Sequence, residues 1–171
     1  MSVLLVDKFR KVCSGGRIDA VVSSSYAGIS AGQSVVDRTK AAVSVYTEKV
    51  GQKQKWTGRF SIPKGSKVLL VEDLITTMRS VGEVKNALEE ALGSSNFEFI
   101  TYKGKIVVLS VVHRPFELPA TYDNFFVISV LEEKVHDWTP DECPLCKQEG
   151  KERSKPKKPK DNWVEFNEFS A

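Results

Sequence analysis

Histidine and cysteine are scarce in this chain, two and three residues among 171. So few leave little from which to build a soft-metal centre, and no Ser/His/Asp or Cys/His order suited to a covalent nucleophile can be read along the sequence. The one C-x-x-C, Cys143-Pro-Leu-Cys146, is half of a zinc site, because structural zinc takes four ligands; only Cys13, His113 and His136 remain to complete it. A plain turn ranks above that reading and a redox pair below it. Also missing are an apolar run of membrane-spanning length, a signal peptide and any internal repeat, which makes the cytoplasm the default compartment and a membrane partner unexpected.

What is present suits a compact α/β domain. A length of 171 residues with 41% hydrophobic content is enough for one domain with a full core. The net charge of +3 is concentrated between Lys147 and Lys160, a Lys/Pro stretch that reads as a linker or flexible tail. The expected organisation is therefore a domain over 1–146 and a tail over 147–171, in which Trp163, Phe166 and Phe169 return apolar surface for docking on the body or on a partner chain. Nucleic-acid binding by so few lysines would be weak and salt-sensitive, and ranks well below an enzyme.

Ser2 to Cys13, with Val3, Leu4, Val6, Phe9 and Val12, has the spacing of a short amphipathic helix. Ile18–Val22 then reads as a strand, followed by a hydroxyl-rich turn and a helix to about Thr39. Further strands are expected at Ala42–Tyr46, Val68–Val71, Lys105–Val112 and Phe125–Leu131, with a helix over Val81–Leu92. Alternating strands and helices with right-handed crossovers imply a mostly parallel sheet of about five strands, helices on both faces, and a ligand crevice at the strands' carboxyl ends.

The most informative stretch is Val68-Leu-Leu-Val-Glu-Asp-Leu-Ile-Thr-Thr-Met-Arg-Ser80. It brings Glu72 and Asp73 to the end of a buried strand, where carboxylates can accept hydrogen bonds from ribose hydroxyls or hold a metal through water. Thr76, Thr77 and Ser80 lead into a helix whose first N–H groups and positive dipole end suit a phosphate. The small, hydroxyl-rich segment Ser23-Ser-Ser-Tyr-Ala-Gly28 suits close backbone contact with an anion. Val50 to Arg59 has little apolar pattern and three basic residues, and reads as a mobile loop. The planar guanidinium of Arg114, at the end of the Lys105 strand, is suited to gripping a carboxylate.

The string from Val68 to Ser80 resembles the phosphoribosyl diphosphate signature of type I phosphoribosyltransferases, and the resemblance runs almost continuously from Leu4 to Cys146. It implies that Glu72 and Asp73 hold the ribose hydroxyls, and that Thr76, Thr77 and Ser80 anchor the 5′-phosphate. It implies also that Ser25, Tyr26, Ala27 and Gly28 hold the donor's pyrophosphate, and that Lys49, with Lys53 or Lys55 from the basic loop, neutralises it with Mg²⁺. Met78 stands where that family usually has a small residue, most often glycine; if the position needs a positive φ, methionine is unfavourable there, and Arg79 would supply phosphate contacts instead. Orotate phosphoribosyltransferases commonly end the equivalent strand in Asp-Arg or Asn-Arg, the arginine facing the orotate carboxylate, so Arg114 matches and His113 departs. A subset of the bacterial enzymes also ends in Cys-Pro-Leu-Cys. The resemblance thus implies phosphoribosyl diphosphate and orotate as ligands and a homodimer. Members carry a further N-terminal segment, part of the hood over the base, ahead of the strand that matches Ile18.

Overall fold

The structure, a computed structural model, describes residues 2–13, 16–51 and 53–136, with the isolated positions 138, 142, 144 and 147. The expected boundary at 146, the Cys143/Cys146 pair and the Lys/Pro tail lie outside the described residues, Lys147 excepted.

The elements follow the expected order. Helix α1 (Ser2–Cys13) precedes β1 (Ala20–Ser23), α2 (Gly28–Thr39) and β2 (Val43–Tyr46). A short hairpin, β3 (Glu48–Val50) and β4 (Lys53–Lys55), then leads to β5 (Ser66–Ile75) and α3 (Arg79–Leu92). Two short strands, β6 (Phe97–Phe99) and β7 (Thr101–Tyr102), are followed by β8 (Lys105–His113) and β9 (Phe125–Glu132).

The main sheet has seven strands rather than about five. Its parallel frame is β2-β1-β5-β8-β9, and the two extra strands are the short ones: β6 pairs in parallel with the start of β5, and β7 antiparallel with the start of β8. They pair only at the ends of β5 and β8 away from the acids, so the crevice end keeps the five-strand order. Two rows of side chains alternate along each strand, as the period of two requires. Val21, Leu69, Val71, Val107 and Leu109 pack with Leu5, Val6 and Phe9 of α1 and Val35 of α2. Val22, Val68, Leu70 and Val108 pack with Val81, Val84 and Leu88 of α3. The continuous apolar runs of β5 and β8 are therefore what two covered faces demand.

Two local expectations are corrected. Strand β5 does not stop at Val71; its ladder with β8 continues through Glu72↔Ser110, Leu74↔Val112 and Ile75↔His113, so the two acids lie within the strand. The stretch expected as a mobile basic loop opens instead with the hairpin, paired Glu48↔Lys55, Lys49↔Gln54 and Val50↔Lys53. Gly51, at φ +64, lies at its turn, and a polar side chain, Gln54, is buried beneath it.

Candidate functional site

Three strand ends meet at the carboxyl edge of the sheet. Ser23 on β1 pairs with Val71 on β5, so the turn Ser24–Gly28 lies against Glu72. The Ser24 hydroxyl donates to Glu72 Oε1 at 2.5 Å, and the Asp73 N–H donates to the same oxygen at 3.1 Å. Helix α2 begins in this contact. A Cβ on Gly28 would stand 2.9 Å from Ser24 Oγ and 3.2 Å from Glu72 Oε1, so only glycine lets the helix start this close to the carboxylate.

Glu72 is almost fully buried, and burial pushes its carboxyl from an ordinary value of 4.5 up to about 7. A hydrogen bond to the Asp73 side chain and the charge of that group act in the same direction, while the Ser24 hydroxyl and the Asp73 N–H oppose them. Asp73 is half-buried and lines a cavity of about 370 Å³ with Leu5, Ala27, Ser30, Ser34 and Val112. The paired acids thus differ in setting, one closed in and hydrogen-bonded, the other open to a ligand.

After Ile75 the chain turns through Thr76 and Thr77, half-buried and exposed, into α3, with Ser80 half-buried in its first turn. Among the described residues no side chain caps that helix, so its first-turn N–H groups face the turn without a side-chain acceptor there. The residue before the helix is Met78, at φ 63°, ψ 3°. The position therefore does take the left-handed conformation that disfavours methionine, and it is tolerated because the side chain is buried among Ile75, Val81 and Val84. Arg79 is exposed at the first helical position, its Nε 3.1 Å from Glu83 Oε1 one turn on.

In the turn after β1, Ser25 is half-buried, Tyr26 and Ala27 are exposed, Gly28 is buried, and the Ser25–Tyr26 peptide is cis. The hairpin reaches this turn through Gln54. Lys49 stands opposite Gln54 in the ladder and so shares its face, but is itself exposed. Lys53 and Lys55, flanking Gln54, belong to the other face and line a groove against Glu83, Asn86 and Glu90 of α3. The fold brings Ser25–Gly28, Glu72, Asp73 and Thr76–Ser80 together at one edge and sets Lys49 apart from Lys53 and Lys55.

At the end of β8, the Arg114 N–H donates to Ile75 O at 2.8 Å, tying the arginine to the strand that carries the acids. Its Nε is buried and finds no hydrogen-bond partner among the described residues. His113 is buried, with Nδ1 2.8 Å from Glu132 Oε1 and Nε2 2.8 Å from the Tyr122 hydroxyl. Nothing local marks Ser24, Thr47, Gln54, Tyr122 or Glu132 as partners, for their contacts are made only in the folded chain.

No family model matches the chain. Among curated proteins, the orotate phosphoribosyltransferase of Wolinella succinogenes is 32% identical over 151 residues, 85% of this chain and 69% of the relative. That of Caldanaerobacter subterraneus is 32% identical over 144 residues, 84% of this chain and 67% of the relative. This chain belongs to the orotate phosphoribosyltransferase family. It spans less of some members, 61% of the Chlorobium phaeobacteroides relative and 66% of the Campylobacter fetus one. The fold is that of phosphoribosyltransferases more widely: the Helicobacter pylori xanthine-guanine-hypoxanthine phosphoribosyltransferase matches 80% of this chain and 81% of its own, with TM-score 0.54 and 15% identity.

Proposed function

We propose that this protein transfers the phosphoribosyl group of phosphoribosyl diphosphate to orotate, giving orotidine 5′-monophosphate and pyrophosphate. The observation that carries the reading is the cluster of Ser24, Gly28, Glu72 and Asp73 beside a helix start with no side-chain cap. Family membership agrees with it, and the unpartnered buried Nε of Arg114 supports a ligand carboxylate there.

The bond from the anomeric carbon to the pyrophosphate oxygen breaks with its electron pair leaving on pyrophosphate, so positive charge develops on the ribose. Asp73 and Glu72 hold the ribose hydroxyls and favour that charge. Thr76, Thr77, Ser80 and the first N–H groups of α3 take the 5′-phosphate, with Arg79 beside them. Ser25 to Gly28 receive the pyrophosphate, and Lys49, Lys53 and Lys55 are the basic residues available to neutralise it. Arg114 holds orotate so that its ring nitrogen, having given its proton to solvent, forms the new bond to the anomeric carbon.

Among the described residues no three metal-ligating side chains cluster. The adjacent carboxylates of Glu72 and Asp73 nevertheless fit Mg²⁺, which is held in such sites by one or two carboxylates together with the substrate's own phosphates. Mg²⁺ there would supply positive charge to the leaving group. Among the described residues no helix is long and apolar enough to cross a membrane. The cytoplasm as compartment and a homodimer as assembly belong to the proposed reading.

A second reading, a relative that binds the donor without transferring it, draws support from Met78 and Arg79 at a turn where the family usually has a small residue. The experiment that separates the two incubates the protein with phosphoribosyl diphosphate, Mg²⁺ and orotate and follows orotate absorbance and pyrophosphate release. Loss of absorbance with matching pyrophosphate is expected. Asp73→Asn should lower turnover sharply with the fold intact, and Arg114→Gln should weaken orotate while sparing the donor. Wild-type rates in Asp73→Asn would defeat the assignment; donor binding without turnover would favour the second reading.

A further inference from the structure

Three donors converge on one oxygen beneath the hairpin. Gln54 Oε1 lies 2.8 Å from Thr47 Oγ1, 3.3 Å from Ser25 Oγ and 3.4 Å from the Ser25 backbone nitrogen. A carboxamide oxygen has two lone pairs and no net charge, so it is oversubscribed by three donors, whereas a phosphate oxygen suits them. Thr47 is fully buried and Gln54 nearly so, and among the described residues the Thr47 hydroxyl has one alternative acceptor, Ser23 O at 3.5 Å. Gln54 Nε2 completes the grip by donating to Ser25 O at 3.2 Å.

We infer that Gln54 occupies an anion subsite formed by Ser25 and Thr47, and that an oxygen of the donor's pyrophosphate displaces it. This rests on the proposed donor site and adds to it Thr47 as a binding residue and Gln54 as an internal competitor. Displacement also loosens the hairpin, because the side chain of Gln54 is its link to the Ser25 turn. The release reaches α3: Glu83 accepts from the Gln54 N–H through Oε2 at 3.1 Å and from Arg79 through Oε1. Moving the hairpin therefore frees the carboxylate that engages Arg79, at the helix end assigned to the other phosphate of the same donor.

The test titrates the full-length protein with magnesium pyrophosphate by calorimetry, and follows amide exchange over the hairpin. Gln54→Ala should tighten pyrophosphate about fivefold, the equivalent of roughly one net hydrogen bond no longer to be broken. Thr47→Val should weaken it about tenfold or more, for a lost charge-assisted bond, with Thr47→Ser close to wild type. Ligand should speed exchange at the Gln54 and Lys55 amides of wild type. Unchanged or weaker binding in Gln54→Ala overturns the inference, and that variant decides the matter even if Thr47→Val fails to fold. Pyrophosphate that binds regardless of Gln54 leaves the donor site standing and removes only the competitor. Failure of every variant to bind pyrophosphate or phosphoribosyl diphosphate removes both.

Discussion

The hydroxyl of Ser24 and the carboxylate of Glu72, 48 positions apart in sequence, are joined by a 2.5 Å hydrogen bond that closes the turn after β1 onto the central strand. The bond favours the charged carboxylate, against the burial that opposes it. Ser24→Ala leaves a buried acceptor with the Asp73 N–H as its remaining donor and should cost about 1–2 kcal/mol. Urea unfolding at neutral pH measures this, and a variant as stable as wild type would show the bond to be incidental.

Glu72 also sets a pH dependence. Its carboxyl sits higher folded than unfolded, so between about 4.5 and about 7 the folded state holds more protons, and stability falls as pH rises through that window. Above about 7 both states are ionised and this contribution is flat. Glu72→Gln removes the ionisation, so its melting temperature relative to wild type should rise with pH across the window. Parallel curves for the two proteins would mean that Glu72 titrates at an ordinary value.

Gly28 is a steric requirement. In Gly28→Ala the new methyl meets Ser24 Oγ at 2.9 Å and Glu72 Oε1 at 3.2 Å. The start of α2 or the serine must give way, at about 1–3 kcal/mol of overpacking. The expected result is a lower denaturant midpoint together with weaker donor binding, since the displaced groups border Glu72, which the proposed reading sets against the ribose.

Met78 sets two effects against each other. Its left-handed backbone costs roughly 1–2 kcal/mol, which Met78→Gly would relieve, but truncating a buried methionine costs about 2–5 kcal/mol. With the residue 7% exposed, packing should win and the glycine variant should be the less stable. A stabilised variant would mean that backbone strain dominates at this turn.

His113 accepts at Nε2 from Tyr122 when Nδ1–H donates to Glu132. Tyr122→Phe strands a buried ring nitrogen and should cost about 1–3 kcal/mol. Glu132→Gln, at an exposed side chain that still offers an acceptor, should cost under about 1 kcal/mol. Thermal unfolding of the two variants checks the order.

Much of the fold was legible because it rests on local pattern. The unbroken apolar runs of β5 and β8 announced strands covered on both faces, and the spacing of Val81, Val84 and Leu88 announced α3. The acids, the hydroxyls and Arg114 were legible as a cluster because parallel strands deliver their carboxyl ends to one edge. Less visible were features decided by tertiary contact. Nothing local says that β5 continues through Glu72 and Asp73, since that depends on its ladder with β8. Nothing local says that Gln54, between two lysines, turns inward to meet Thr47 and Ser25. Two-residue β7 escaped notice because its pairing with β8 is its only signature.

The ladder between β5 and β8 works as a ruler. Because Ile75 pairs with His113 and its carbonyl receives the Arg114 N–H, the span from the paired acids to the guanidinium is fixed by strand register, and a slip of one residue would turn every side chain to the opposite face. In the proposed reading, a base of different size therefore cannot be accommodated by sliding these groups apart.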